Sequence, residues 1–119
     1  MRNTGRMILE PSTAVNANGL NVPLDGVAPE QVVAGQPQTG FVELGVYGQA
    51  ELGVWEMTAG AMSDVETDEV FIVLSGSARI DFTASGESID IGPGFVGRFN
   101  EGTATVWTVT ETLRKVYLA

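Results

Sequence analysis

From Gly40 onward the chain alternates apolar and polar positions in short runs separated by turn residues. FVELGVY (41–47), LGVWEMT (52–58), EVFIVLS (69–75) and SARIDFT (77–83) each read as a strand. So do ESIDI (87–91), FVGRF (95–99), TATVWTV (103–109) and LRKVYL (113–118). The breaks between them are Gly48–Glu51, a loop opening at Ala59-Gly60 that carries Asp64, Glu66 and Asp68, then Gly76, Ser85-Gly86, Gly92-Pro93-Gly94 and Asn100-Glu101-Gly102. Short strands with a turn signal every eight or so residues predict an all-β sandwich or barrel. No stretch carries a sustained helical period.

The strand EVFIVL departs from simple alternation. Glu69, Phe71 and Val73 share one face, and Val70, Ile72 and Leu74 the other. Both faces are mostly apolar, which predicts cover on both sides. The inner side would line a barrel. The outer side would pack on the N-terminal segment or on a second subunit, and a homodimer is the expected partner arrangement. Upstream, Val22–Gln38 holds Pro23, Pro29 and Pro37 and reads as an ordered connector. Within it, Ala28–Val33 predicts one helical turn opened by Pro29, with Val32 and Val33 buried. Residues 1–21 predict an N-terminal arm, swapped between subunits or partly disordered, in which Met7-Ile8-Leu9 forms a short strand and NANGL a turn. Residues 22–119 then form a single domain.

Composition narrows the chemistry. At 119 residues and 44% hydrophobic, the chain supports one globular core. It has no Cys and no His, which excludes disulfides, thiolate nucleophiles and every mechanism that needs imidazole. Fifteen acidic against six basic residues give a net charge of −9, which argues against nucleic acid and anionic membrane surfaces as partners. Arg2 and Arg6 are followed by Ile8–Leu20, which Glu10, Pro11 and two Asn interrupt, so neither a secretory leader nor a membrane span is predicted and a cytoplasmic location is expected. The run Asp64, Glu66, Asp68, Glu69 lacks the spacing of a calcium loop and reads as a solvated turn. Gly92-Pro93-Gly94 is a tight turn and no phosphate cradle, because no helix with a lysine follows it. Glu56 and Arg114-Lys115 fall on strands that can be neighbours, which predicts an ion pair holding the sheet together, the alternative being a lysine–carboxylate pair in a cleft that does proton chemistry.

The segments GVWEMTAG, DEVFIVLSG, IDIGPGFVGRFNEG and VWTVTETLRKVYL, in that order and spacing, resemble the cupins. They are most similar to the small single-domain cupins grouped with ureidoglycine aminohydrolase and the ethanolamine-utilisation cupin. The likeness covers residues 22–119 and implies a double-stranded β-helix, a jelly-roll barrel with a pocket inside one end. Cupins usually bind a metal through His residues and a Glu. Glu69 matches that Glu and Gly76 the glycine closing the first motif. The two His positions of that motif fall on Ser63 and Val65, or on Met62 and Asp64, and the third His falls on Thr105. None is His, so no metal and no other cofactor is expected.

A cupin arrangement implies, by strand alternation, that Trp55, Met57, Glu69, Phe71, Thr105 and Trp107 face the pocket, joined by Arg79 and Phe99. Such a set suits a small, partly apolar organic ligand, and it equally suits aromatic filling of a narrow barrel. Glu69 is the candidate catalytic residue. Burial with no metal or His beside it favours the protonated acid, which suits general acid–base work near neutral pH. Glu69 could instead pair with Arg79 or Arg98. The expected function is binding of a small metabolite without a His-ligated metal. The alternatives are a metal-independent isomerase, lyase or hydrolase using Glu69, and a non-catalytic structural or regulatory partner with a filled barrel.

Overall fold

A computed structural model describes residues 5–119. The first residues of the expected arm, Arg2 among them, lie outside the described residues. Strands β1 (Gly5–Arg6), β2 (Asp25–Gly26), β3 (Val32–Ala34), β4 (Gln38–Tyr47) and β5 (Ala50–Met57) are followed by β6 (Gly60–Val65), β7 (Glu69–Phe82), β8 (Ser88–Ile91), β9 (Val96–Phe99) and β10 (Ala104–Leu118). A single 3-10 turn, Ala17–Gly19, stands where NANGL predicted a turn.

Two long strands serve both walls of the barrel. The C-terminal half of β10, Leu113–Leu118, pairs with β5, and β5 pairs with β4. That same half also pairs with Val70–Ser75 of β7, whose other edge carries β9. The N-terminal half of β10, Ala104–Val109, pairs with β6 on one side and with Ala78–Phe82 of β7 on the other, and β8 extends this second wall. Strands β3 and β6 pair at its far edge. Sharing β7 and β10 between the walls closes the sheet on itself as a jelly roll, the expected fold.

Gly76 makes the shared strand work. The sequence predicts a strand end there, but β7 runs through it without a break. Gly76 has φ of 89°, where a side chain is strained, and an added Cβ would lie 2.1 Å from the Thr112 carbonyl oxygen. The register slips at this point, between Val109/Glu111 and Glu111/Arg114 of the partner strand. The slip shifts the phase of β7 by one residue: Phe71 and Val73 point inward before it, Ala78 and Ile80 after it. The predicted strands at 103–109 and 113–118 are likewise one strand, β10.

Two apolar clusters hold the chain. The interior one joins Met57, Met62, Phe71, Val73, Ala78, Ile80, Ile91, Phe99, Trp107, Val109 and Leu113 from both walls. The outer one packs Val22, Leu20, Val15 and Leu9 of the N-terminal segment on Val42, Leu44, Val54 and Val116 of the first wall. Cover of the outer face therefore comes from the same chain over β4, β5 and β10. It stops short of β7, where Ile72 is 41% exposed, and of β9, where Val96 is 67% exposed.

Three local expectations change. Residues 60–65, expected as loop, form β6, because backbone pairing with both β10 and β3 overrides the weak strand propensity of GAMSDV. The turn at Pro29 exists, with the Val32 amide donating to the Pro29 carbonyl at 3.3 Å, but Val32 then enters edge strand β3, and Val33 faces solvent at 57% exposure. Near the N-terminus, the assigned strand is Gly5–Arg6, just ahead of Met7-Ile8-Leu9, while the Met7 and Leu9 amides continue its bonding to the Glu43 and Leu44 carbonyls, both at 2.8 Å.

Candidate functional site

Alternation along β10 brings Leu113, Lys115 and Tyr117 to the inner face of the first wall. Leu113 ends in the core. Lys115 lies under the open end of the barrel, and Tyr117 stands at its rim. The Lys115 ammonium donates to Glu69 Oε2 at 2.6 Å, and both side chains are largely buried. Four rings surround the same ammonium, with centroids at 4.8 Å (Trp55), 4.9 Å (Phe71), 4.9 Å (Trp107) and 6.0 Å (Phe99). A desolvated cation needs a partner charge and polarisable neighbours, and Lys115 has both.

A cavity of about 330 Å³ opens above this pair, lined by Phe41, Glu51, Trp55, Asp64, Glu66, Thr67, Glu69, Trp107, Lys115, Tyr117 and Ala119. An adjoining cavity of about 270 Å³ shares Phe41, Trp55 and Asp64 with it. Glu66 is 7% exposed, and its Oε2 accepts from Thr105 Oγ1 at 2.7 Å and from Trp107 Nε1 at 2.9 Å. These bonds fix the indole that walls the cavity. Glu51 Oε2 accepts from the Tyr117 hydroxyl at 2.7 Å. Burial, then this bond, pushes the Tyr117 phenol well up, so it stays a donor. Asp64 sits between the two cavities. Burial first, then the nearby Glu66, raises its carboxyl pKa, while the Val65 amide and Lys115 pull the other way.

The structure sorts the expected site residues. Trp55, Glu69 and Trp107 line the cavity. Phe71 and Phe99 lie below it, stacked at 5.2 Å and touching Lys115 from underneath, and Met57 is fully buried in the core. Thr105 is buried and holds Glu66. Arg79 is on the outer surface, 3.2 Å from Asp81 and 2.7 Å from Ser88, because the phase shift at Gly76 turns it outward. Glu69 pairs with neither Arg79 nor Arg98; the latter meets Asp68 at 3.1 Å on the surface. Glu56 does pair with Arg114, at 2.7 Å, on the opposite face of β10. Of the run expected to be a solvated turn, Asp64, Glu66 and Glu69 face the cavity and only Asp68 is on the surface. Sequence reasoning placed no cavity role on Glu66, Asp64, Glu51, Tyr117 or Phe41, and offered Lys115 only as the alternative partner of a carboxylate in a cleft. For Lys115 a signal existed: LRKVYL puts it in phase with Leu113 and Tyr117.

A family model, the EutQ-like cupin domain, matches residues 44–117. The chain belongs to this cupin family. Solved cupins agree on the fold. A protein of unknown function of the DUF861 family from Pseudomonas syringae pv. tomato superposes with a TM-score of 0.74 at 22% identity, covering 89% of this chain and 46% of that one. An ethanolamine utilization protein Q from Salmonella typhimurium gives 0.59 at 19% identity, covering 68% of each chain. A DUF861 family protein from Thermotoga maritima gives 0.51 at 26% identity, covering 54% of this cupin and 73% of the other. No curated protein matches the chain.

The side chains at the cupin metal positions do not fit a His-ligated metal. Glu69 is taken by Lys115, Thr105 by Glu66, Met62 is in the core, and Val65 is 67% exposed. The fixed ammonium beside Glu69 would repel an incoming divalent cation. Among the described residues no group of three or more His, Cys, Asp or Glu is placed to hold a metal.

Proposed function

We propose that this cupin binds a small organic metabolite in the cavity above Glu69 and Lys115, without a His-ligated metal. The observation that carries this reading is the Lys115–Glu69 pair. It is an ordered charged floor beneath an aromatic-walled space of about 330 Å³, at the lower end of the ~300–1,000 Å³ common for small-molecule sites. A barrel filled only for packing would not leave that space above a charged pair. A thermal-shift screen against a metabolite panel, run in parallel on Glu69→Gln, tests it. A hit that raises the melting temperature of the wild-type protein should lose most of that effect in the variant. A hit that stabilises both proteins equally counts against the site.

The enzyme reading draws on Asp64. A carboxyl held above its ordinary range, facing a cavity beside a fixed ammonium, suits proton transfer. In that reading Asp64 relays the proton while Lys115 stays bonded to Glu69. Turnover that survives Asp64→Asn would remove it.

The same proposal keeps the homodimer. Ile72, Val96 and Leu118, exposed at 41%, 67% and 39%, lie beyond the N-terminal cover and offer an apolar strip for a second copy. A monomeric mass by light scattering would sink that part. Among the described residues no helix is long and apolar enough to cross a membrane.

A further inference from the structure

Lys115 is the single lysine of the chain; every other basic residue is an arginine. A guanidinium stays charged and does not act as a nucleophile, so Lys115 carries the one side-chain amine of the protein. Arg114, paired with Glu56, shows that an arginine serves where the strands need an ionic tie. The amine lies inside instead, 4% exposed as a residue, and on the wall of the cavity of about 330 Å³. One of its three N–H groups donates to Glu69 Oε2 at 2.6 Å. Around the rest stand the rings of Trp55, Phe71 and Trp107, with centroids at 4.8, 4.9 and 4.9 Å. A nucleophilic lysine needs a base within hydrogen-bond reach, walls that keep water off and space for the molecule it attacks. Glu69, the rings and the cavity supply the three at one nitrogen.

We propose that Lys115 captures a small aldehyde or ketone in this cavity as a protonated imine, with Glu69 carrying the proton back and forth. This rests on the cavity being a ligand site at all. The ammonium passes one proton to Glu69 Oε2, and the lone pair left on Nζ attacks the carbonyl carbon. A C–N bond forms, the carbonyl π pair moves to the oxygen, and a second nitrogen proton follows it there. Glu69 returns its proton to the resulting hydroxyl, the C–O bond breaks and water leaves. The iminium then carries its positive charge on the same nitrogen, beside the same carboxylate and ring faces. The surroundings that hold the ammonium therefore hold the product without losing the ion pair. Trp55 and Trp107 line the same space and flank the captured carbon chain.

Butanal with cyanoborohydride, a hydride donor that reduces an iminium to a stable secondary amine, tests the capture. Peptide mass spectrometry separates label on Lys115 from label on the α-amine, and added Nα-acetyl-lysine is the rate standard. The Trp107 indole proton, bonded to Glu66 at 2.9 Å, reports occupancy of the cavity, and n-butanol is the matching probe that cannot condense. Label should build on Lys115 saturably in butanal and, against the standard, faster in the folded chain than in the same chain unfolded by urea. Glu69→Gln should slow it about a hundredfold, the low end of general acid–base assistance. A lysine that reacts only because aldehyde reaches it would label in that variant at the wild-type rate. That result would overturn the proposal, and so would Lys115 labelling faster in urea than in the fold, a comparison that needs no variant. Butanal or butanol moving the indole signal saturably with no label on folded Lys115 would overturn the imine and leave the ligand site standing. No label and no shift up to the solubility of both would remove the ligand site as well.

Discussion

Arg114 and Lys115 are consecutive residues on one strand, and they serve opposite ends of the design. Arg114 points out of the barrel. Its Nε and Nη2 both reach Glu56 Oε1, at 2.9 and 2.7 Å, and its Nη1 holds the carbonyls of Ala17 and Leu20 at 2.8 and 2.7 Å. Four of its five N–H donors are used, on all three nitrogens, and they bind β5, β10 and the N-terminal segment together. Lys115 points inward and makes one hydrogen bond, at 2.6 Å, to a carboxylate at the edge of a cavity. A guanidinium bonded through all three nitrogens is a clamp. A singly bonded ammonium under open space is a floor. Two adjacent cations of the same charge thus take different work from the direction the pleat gives each of them.

The clamp should be the costlier to break. Arg114→Ala leaves Glu56 without its partner and two carbonyls without donors under the N-terminal cover. Breaking a largely buried pair in this way costs roughly 3–5 kcal/mol. The expected result is a loss of about 4 kcal/mol in urea unfolding, with hydrogen-exchange protection falling first around Leu20–Leu24. A loss under about 1 kcal/mol would place Arg114 with ordinary surface pairs and erase the contrast.

The floor should behave differently when taken apart in two ways. Lys115→Met keeps the bulk against the four rings but strands Glu69, and should cost about 3 kcal/mol. Adding Glu69→Leu removes the stranded charge and should restore most of that stability, because a buried ion pair replaced by apolar side chains is often neutral or better. The matching double change at Glu56 and Arg114 should not recover, since the Ala17 and Leu20 carbonyls would remain unpartnered. If both doubles recover equally, the clamp and the floor are the same kind of pair.

How much of this was readable in advance follows from how each feature is encoded. The eight expected strand runs are rich in β-branched and aromatic residues, and each falls mainly within a strand of the structure. GAMSDV at 60–65 carries no such pattern, and only its long-range pairing with β10 makes it a strand. The inner face of β7 before Gly76 is readable by counting, which places Glu69 and Phe71 inward, and the same count along β10 places Trp107 inward. After Gly76 the count slips by one residue, and Arg79 lands outside; a slip of that kind depends on Thr112, distant in sequence, approaching the glycine. Sequence alone makes Glu66 and Asp64 solvated, because carboxylates usually are. Their burial depends on Thr105, Trp107 and Lys115, which lie some forty or more residues on.

The finest test of the comparison lies at Asp64, which neither pair neutralises. Its carboxyl pKa is raised from 3.8, by burial first and by Glu66 next. A raised carboxyl means that the folded chain binds this proton more tightly than the unfolded chain does. Stability from this group is therefore full below about pH 3.8 and falls as pH rises through the folded value. At neutral pH the charged Asp64 works against the fold. Asp64→Asn should then raise the neutral-pH melting temperature, by less than either pair disruption lowers it, and the gain should vanish toward acid pH. A variant that is less stable than wild type at neutral pH would show that Lys115 stabilises the Asp64 charge more than burial penalises it. The cavity floor would then be a three-member charge network, and its likeness to the multiply bonded Arg114 clamp would be closer than the hydrogen bonds alone indicate.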